Sequence, residues 1–142
     1  MNNESPASLS TEIETLKHAY TALNRGDVEG FVAMFDPQIE RVEFPDLPQS
    51  GAYRGLDAVK AHVAQGRGGW AEGACEPQRF RVARNNVIVD VRVRVRLLSE
   101  TTWRKGNVTD VFTIRAGKVI QFRSFTSECQ ALEWVGEPAS DI

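Results

Sequence analysis

Acid–base chemistry in this chain rests on a handful of side chains. Asp110 alternates with Val108, Phe112 and Ile114 in a strand-like stretch, so it shares one face with three apolar groups. Where such a face lines an interior, burial favours the neutral carboxyl. That group donates a hydrogen bond to a developing enolate or, once ionised, serves as a base. Its competing role is a structural pair with an arginine or a backbone group. His62 lies three residues past Val59 and next to Val63, at the border of an apolar helical stripe; an imidazole gives and takes a proton near neutral pH, although a lone helical histidine also serves in packing. His18 lies largely off its own stripe. Glu43 and Asp46 are acids near a loop, and Asp46 is the candidate for a displaced base. Tyr20 lies on an apolar stripe, from which its hydroxyl can point inward. Phe44, Trp70, Trp103, Phe112 and Phe122 are the aromatic residues expected to shape an apolar pocket, the usual lining of a ligand site, and each would serve equally well as core.

No phosphate-binding Walker loop, dinucleotide-binding glycine fingerprint, nucleophile elbow or metal-ligand triad accompanies these residues, so neither a metal nor a cofactor is expected. Cys75 and Cys129 lie far apart with no CxxC spacing and read as two free thiols.

The elements that must position these groups follow from periodicity. Leu9, Ile13, Leu16, Tyr20 and Leu23 fall at helical spacing, and Thr11 to Glu14 has the form of a capping box, although Ser8 or Ser10 would equally start the helix. Gly26 ends it. Asp27 then caps a second helix bearing Val28, Phe31, Val32 and Phe35, closed by Asp36-Pro37. Ile39 to Phe44 alternates as a short strand does, and residues 45–51 form a loop. Leu56, Val59 and Val63 make the buried stripe of a third helix that Gly66 stops, after which Gly66 to Gly69 reads as a flexible connection. Strands are predicted around Phe80 and Val82, from Val87 to Leu97, from Val108 to Arg115 and from Val119 to Thr126, the last two joined by an Ala116-Gly117 hairpin turn. A short helix over Ser127 to Val135 ends the ordered part. Helices first and then consecutive antiparallel strands describe an α+β plan.

The chain has 142 residues, enough for one core, with 42% hydrophobic and 25% charged residues. Its formal net charge is −2, distributed unevenly: residues 1–71 hold 6 Lys+Arg against 10 Asp+Glu, and residues 72–142 hold 11 against 9. Arg92, Arg94 and Arg96 project from one side of the long strand and Val91, Val93 and Val95 from the other. A dimer contact or solvated surface is preferred for this stripe; a sequence pI of about 5.7 and the lack of a nucleic-acid motif disfavour nucleic acid. With no leader pattern at the N-terminus and no apolar run long enough to cross a bilayer, a cytoplasmic protein without membrane contact is expected.

Asn24-Arg25-Gly26-Asp27 after the first helix, Tyr53-Arg54-Gly55-x-x-Ala58-Val59 opening the third, and Asp110-Val-Phe-Thr-Ile-Arg-Ala-Gly-Lys-Val119 recur in the order seen in the SnoaL-like branch of the NTF2-like superfamily, which also includes the ketosteroid isomerases. The chain resembles that branch over residues 10–135, leaving 1–9 as a flexible segment and 136–142 as a tail. The resemblance implies a cone-shaped fold, with three N-terminal helices packed on a curved, mainly antiparallel sheet. It also implies a homodimer through the outer sheet face and a pocket for an apolar or polycyclic small molecule, and any chemistry would be cofactor-free isomerisation, cyclisation or dehydration. The alternative is a binding or dimerisation module without chemistry. Steroid-isomerising relatives combine a first-helix tyrosine, a carboxylate base after the first strand and a late-strand aspartic acid. Aligned on the Gly26-Asp27 turn, the tyrosine position falls on Ala19, with Tyr20 beside it; the base position falls on Phe44, and the late acid on Asp110.

Overall fold

The computed structural model describes residues 9–45 and 51–141. Helix α1 (Ser10–Asn24) turns Ile13, Leu16, Ala19 and Tyr20 inward, as its spacing requires. It starts at Ser10 with no side-chain cap, so Thr11 lies inside the first turn and no capping box forms. Gly26, at φ 85°, supplies the left-handed turn that ends it, and the Asp27 carboxylate accepts the Gly30 N–H to cap α2 (Val28–Phe31).

The second helix is shorter than predicted, because Phe35 begins strand β1 (Phe35–Glu43). Either conformation buries this residue: Phe35 packs its ring 5.6 Å from Phe31 and 5.9 Å from Phe122. The 28/31/32/35 spacing therefore carried no information about where the helix stops. The short strand β2 (Gly51–Arg54), unforeseen in the sequence, pairs with β1 and holds Tyr53. Helix α3 (Leu56–Gly68) runs through Gly66, although glycine costs about 1 kcal/mol in a helix interior. Arg67 anchors that last turn: Nε and Nη2 donate to the Leu23 and Asn24 carbonyls at the end of α1, each at 2.8 Å.

The remaining strands form a meander: β3 (Trp70–Ala83), β4 (Asn86–Leu97), β5 (Arg104–Arg115) and β6 (Lys118–Phe125). β3 starts ten residues before the Phe80–Val82 signal, because Ala, Gly and Pro replace alternating hydrophobes in its first half. Gly73 is required there: at φ 127° it sits where a Cβ would collide with the Arg94 carbonyl oxygen, next to a register shift between Trp70 and Glu72. Helix α4 (Glu128–Val135) and strand β7 (Ser140–Asp141) follow, the latter pairing with β3.

The seven strands are ordered β2-β1-β6-β5-β4-β3-β7, all antiparallel neighbours except the parallel β1–β6 pair. Helices and sheet enclose the main core, built from α1, Phe31, Phe35, Val87, Val89, Val91, Phe112 and Phe122. On the opposite sheet face, α4 buries Ala131 against Ile88, Val111 and Phe125. The result is the NTF2-like α+β plan, with a curved, unclosed sheet. No helix among the described residues is long and apolar enough to cross a membrane.

Candidate functional site

A cavity of about 490 Å³ opens between the helices and the concave face of the sheet. Asp110 lies at its deep end, 5% exposed, and Tyr20 beside it is 2% exposed. Register brings the carboxyl its first partner. Asp110 stands opposite Ser124 across the β5–β6 ladder, and the Ser124 hydroxyl donates to Oδ1 at 2.5 Å. The second partner crosses from α1: Tyr20 donates its hydroxyl to Oδ2 at 2.6 Å. Edge-on packing against Phe31 and Phe112, with centroids 6.3 and 6.1 Å away, fixes the tyrosine ring. The hydroxyl that the resemblance assigned to the position of Ala19 is thus supplied by its neighbour Tyr20.

Burial is the largest influence on Asp110 and raises its pKa above the ordinary aspartate value; the Arg41 charge and the two hydroxyl hydrogen bonds pull the other way. Tyr20 is raised well above the usual phenol value by burial and by Asp110, so it remains a hydrogen-bond donor. Arg41 is buried as well. Its guanidinium lies 3.7 Å above the Phe122 ring, Nη1 donates to the Val42 and Phe122 carbonyls at 3.2 Å, and burial lowers its pKa against the opposing pull of Asp110 and Glu43. Cys75, also on the cavity wall, is pushed up to about 12, by burial first and by Asp110 second.

A second polar group lies along the wall. Glu43, at the end of β1, reaches Arg41 Nη2 at 3.5 Å and His62 Nε2 at 2.9 Å. The His62 ring stacks on Tyr53 with centroids 3.9 Å apart. An imidazole held on one side by a carboxylate and on one face by an aromatic ring has a fixed orientation, as a proton-transfer group requires. Phe44 completes this corner: its backbone adopts φ 45°, uncommon for a non-glycine residue, and its N–H donates to the Ser124 carbonyl at 2.8 Å.

Of the residues selected from sequence, Asp110, His62, Tyr20, Phe44, Trp70 and Phe122 line this one cavity. Phe112 does not. It is fully buried behind the wall, stacked 4.5 Å from Phe122. Trp103 lies on the outer face of the sheet, under the Arg94 guanidinium at 3.9 Å, because Arg94 faces away from the cavity-lining Val93. Asp46 lies outside the described residues. Ser124, Arg41 and Arg67 had not been singled out. The hairpin register counted from the Ala116-Gly117 turn points to Arg123 rather than Ser124, and nothing in sequence spacing marks Arg41 as buried. Among the described residues, no three His, Cys, Asp or Glu side chains gather to hold a metal ion.

Comparison with known proteins agrees with this architecture. The SnoaL-like domain family matches residues 16–122. No curated protein matches the sequence. Among solved structures, an NTF2-like protein of unknown function from Burkholderia pseudomallei K96243 superposes with a TM-score of 0.72 at 19% identity, covering 89% of this chain and 98% of that one. TerC, co-crystallised with polyporic acid, has a TM-score of 0.71 at 20% identity, covering 90% and 100%. A candidate SnoaL-like polyketide cyclase from Jannaschia sp. CCS1 also has a TM-score of 0.71, at 17% identity, covering 97% and 99%. With a matching family segment that spans most of the helices and sheet around the cavity, the chain belongs to the SnoaL-like domain family.

Proposed function

We propose that the cavity binds an apolar or polycyclic small molecule and carries out cofactor-free proton transfer on it, as in an isomerisation, an aldol-type cyclisation or a dehydration. One observation carries the reading: a buried acid held by two hydroxyls, Asp110 with Tyr20 and Ser124, faces the same cavity as an oriented imidazole, His62 held by Glu43. In this reading Asp110 in its neutral form donates to a developing oxyanion while Tyr20 and Ser124 hold its carboxyl, and His62 moves the proton. The co-crystallised polyporic acid in TerC lends support, since that neighbour of the same fold takes an organic ligand.

The competing reading is a binding module, and a specific observation favours it: both Asp110 oxygens already have protein partners, which is also how a structural acid is held. Exchange of the α-protons of 2-tetralone in D₂O, followed by NMR, separates the two. Catalysis requires wild-type exchange above the solvent rate, lost in His62→Gln and reduced in Asp110→Asn. Exchange no faster than solvent, with the ketone bound, establishes the binding module. A homodimer through the outer sheet face belongs to the same proposal. The relevant stripe has Arg92 on Gln78 at 2.9 Å, Arg96 on Glu72 at 2.8 Å and Arg94 on Trp103, and light scattering of Arg94→Glu against wild type tests it.

A further inference from the structure

We infer that the ligand carries an anionic group, a carboxylate, held by Arg67 while its apolar body lies inside the cavity. The inference rests on the reading that the cavity binds a small molecule, and it specifies which kind.

Charge at the opening contrasts with the chain as a whole. The protein is net negative, yet Arg67 and Arg104 lie on the cavity wall, and the two cavity carboxylates, Glu43 and Asp110, are engaged with His62, Arg41, Tyr20 and Ser124. Not every cation is available. Arg104 is held by Glu100 through contacts of 2.9 and 2.6 Å. Lys105 stands opposite Arg94 across the β4–β5 ladder and so shares the outer face.

Arg67 is the distinctive group. Its Nε and Nη2 are fixed on the last carbonyls of α1 at 2.8 Å, and its plane stacks 4.6 Å from the Trp70 ring, whereas no described residue accepts from Nη1. A guanidinium immobilised by the protein, with one amino group unused, binds an oxyanion without first losing side-chain freedom. Low-dielectric walls focus its field into the opening. The body of the ligand then lies along Leu23, Val63, Val93 and Val108, which continue inward from Trp70. At the inner end the Arg41 charge is already engaged by Glu43 and by two backbone carbonyls, so the unused Nη1 of Arg67 is where the anion settles.

The test compares 2-naphthoate with 2-naphthol, neutral at pH 7, by calorimetric titration of the full chain. Naphthoate should bind about tenfold more tightly, the scale of one partly desolvated charged hydrogen bond. That preference should narrow as salt is raised, whereas Lys105→Ala, on the outer face, should leave it in place. Lys105 is exposed, so its removal leaves the fold intact; Arg67→Met, verified as folded by circular dichroism, should abolish the preference. Naphthol binding as tightly as naphthoate, or a preference surviving Arg67→Met, overturns the inference and leaves the cavity reading standing. Failure of both compounds to bind overturns the two together.

Discussion

Tyr20→Phe isolates one hydroxyl in the site. The substitution deletes a single oxygen and keeps the ring, so the edge contacts with Phe31 and Phe112 survive and no cavity of consequence opens. The loss is the 2.6 Å hydrogen bond to Asp110 Oδ2. Such a bond contributes about 1 kcal/mol when both groups are neutral and about 1.5–3 kcal/mol when the acceptor is ionised. The penalty therefore depends on the charge of Asp110. Its folded pKa lies above the ordinary value, so Asp110 is protonated in the folded protein at pH values where an unfolded aspartate has already ionised. Stability linked to this group is complete below the unfolded pKa and declines as pH rises through the folded one. The Tyr20 bond pulls that pKa down, so its removal raises it further and makes the decline steeper. Urea unfolding of wild type and variant across a wide pH range should give a difference of about 1 kcal/mol while Asp110 is protonated, growing to about 2–3 kcal/mol once pH has passed its folded pKa. In thermal scans the larger difference corresponds to roughly 5–12 °C for a domain of this size. A difference that stays flat or shrinks as pH rises would show that Asp110 does not titrate against this hydroxyl.

Other expectations follow from parts of the structure away from that bond. Thiol reagents near neutral pH should modify exposed Cys129 quickly and Cys75 far more slowly, since its thiol is pushed up to about 12; mass spectrometry of peptides after brief labelling reads the ratio. Gly73→Ala forces a left-handed residue and a collision with the Arg94 carbonyl, and should cost about 2 kcal/mol or more in chemical unfolding. Arg81 is 5% exposed and pairs with Asp90 at 3.1 Å and with Glu128 at 2.7 Å; Arg81→Met should cost about 3 kcal/mol by stranding Asp90 and loosening α4, detected as faster amide exchange in residues 128–135.

Long uninterrupted patterns in the sequence carried over to the fold, and mixed ones did not. The valine alternation of β4 and the 4-3-4-3 stripe of α1 have no competing solution, so both elements form where they were read. Phe35 did have one, being equally buried by helix or strand, and Arg67 held a glycine-containing turn helical through contacts with α1 that spacing cannot reveal. In the site, Asp110 was readable because its three same-face neighbours are apolar. Ser124 was hidden by a single irregularity: an unbroken ladder from Arg115–Lys118 would set Asp110 opposite Arg123, but the shift between Thr113 and Ile114 moves the partner by one residue and exchanges a guanidinium for a hydroxyl. Trp103 failed for the complementary reason, since a position outside any alternation gives no sign of which sheet face it will join.

The parallel pairing of β1 with β6 sets the order in which the protein becomes competent. β3 to β6 close on one another through short loops, but Arg41 meets Phe122 across 81 positions and Tyr20 meets Asp110 across 90. Contacts of that span bear the full loop-closure cost and form slowly. During synthesis the first strand and its aromatic side chains leave the ribosome with their partner strand still uncoded into protein, so Phe31 and Phe35 stay accessible to chaperones until the sixth strand arrives. The cavity is thus a late product of biosynthesis: a chain arrested at the Ala116-Gly117 turn has the first three helices, Asp110 and Tyr20, yet lacks the strand that encloses them.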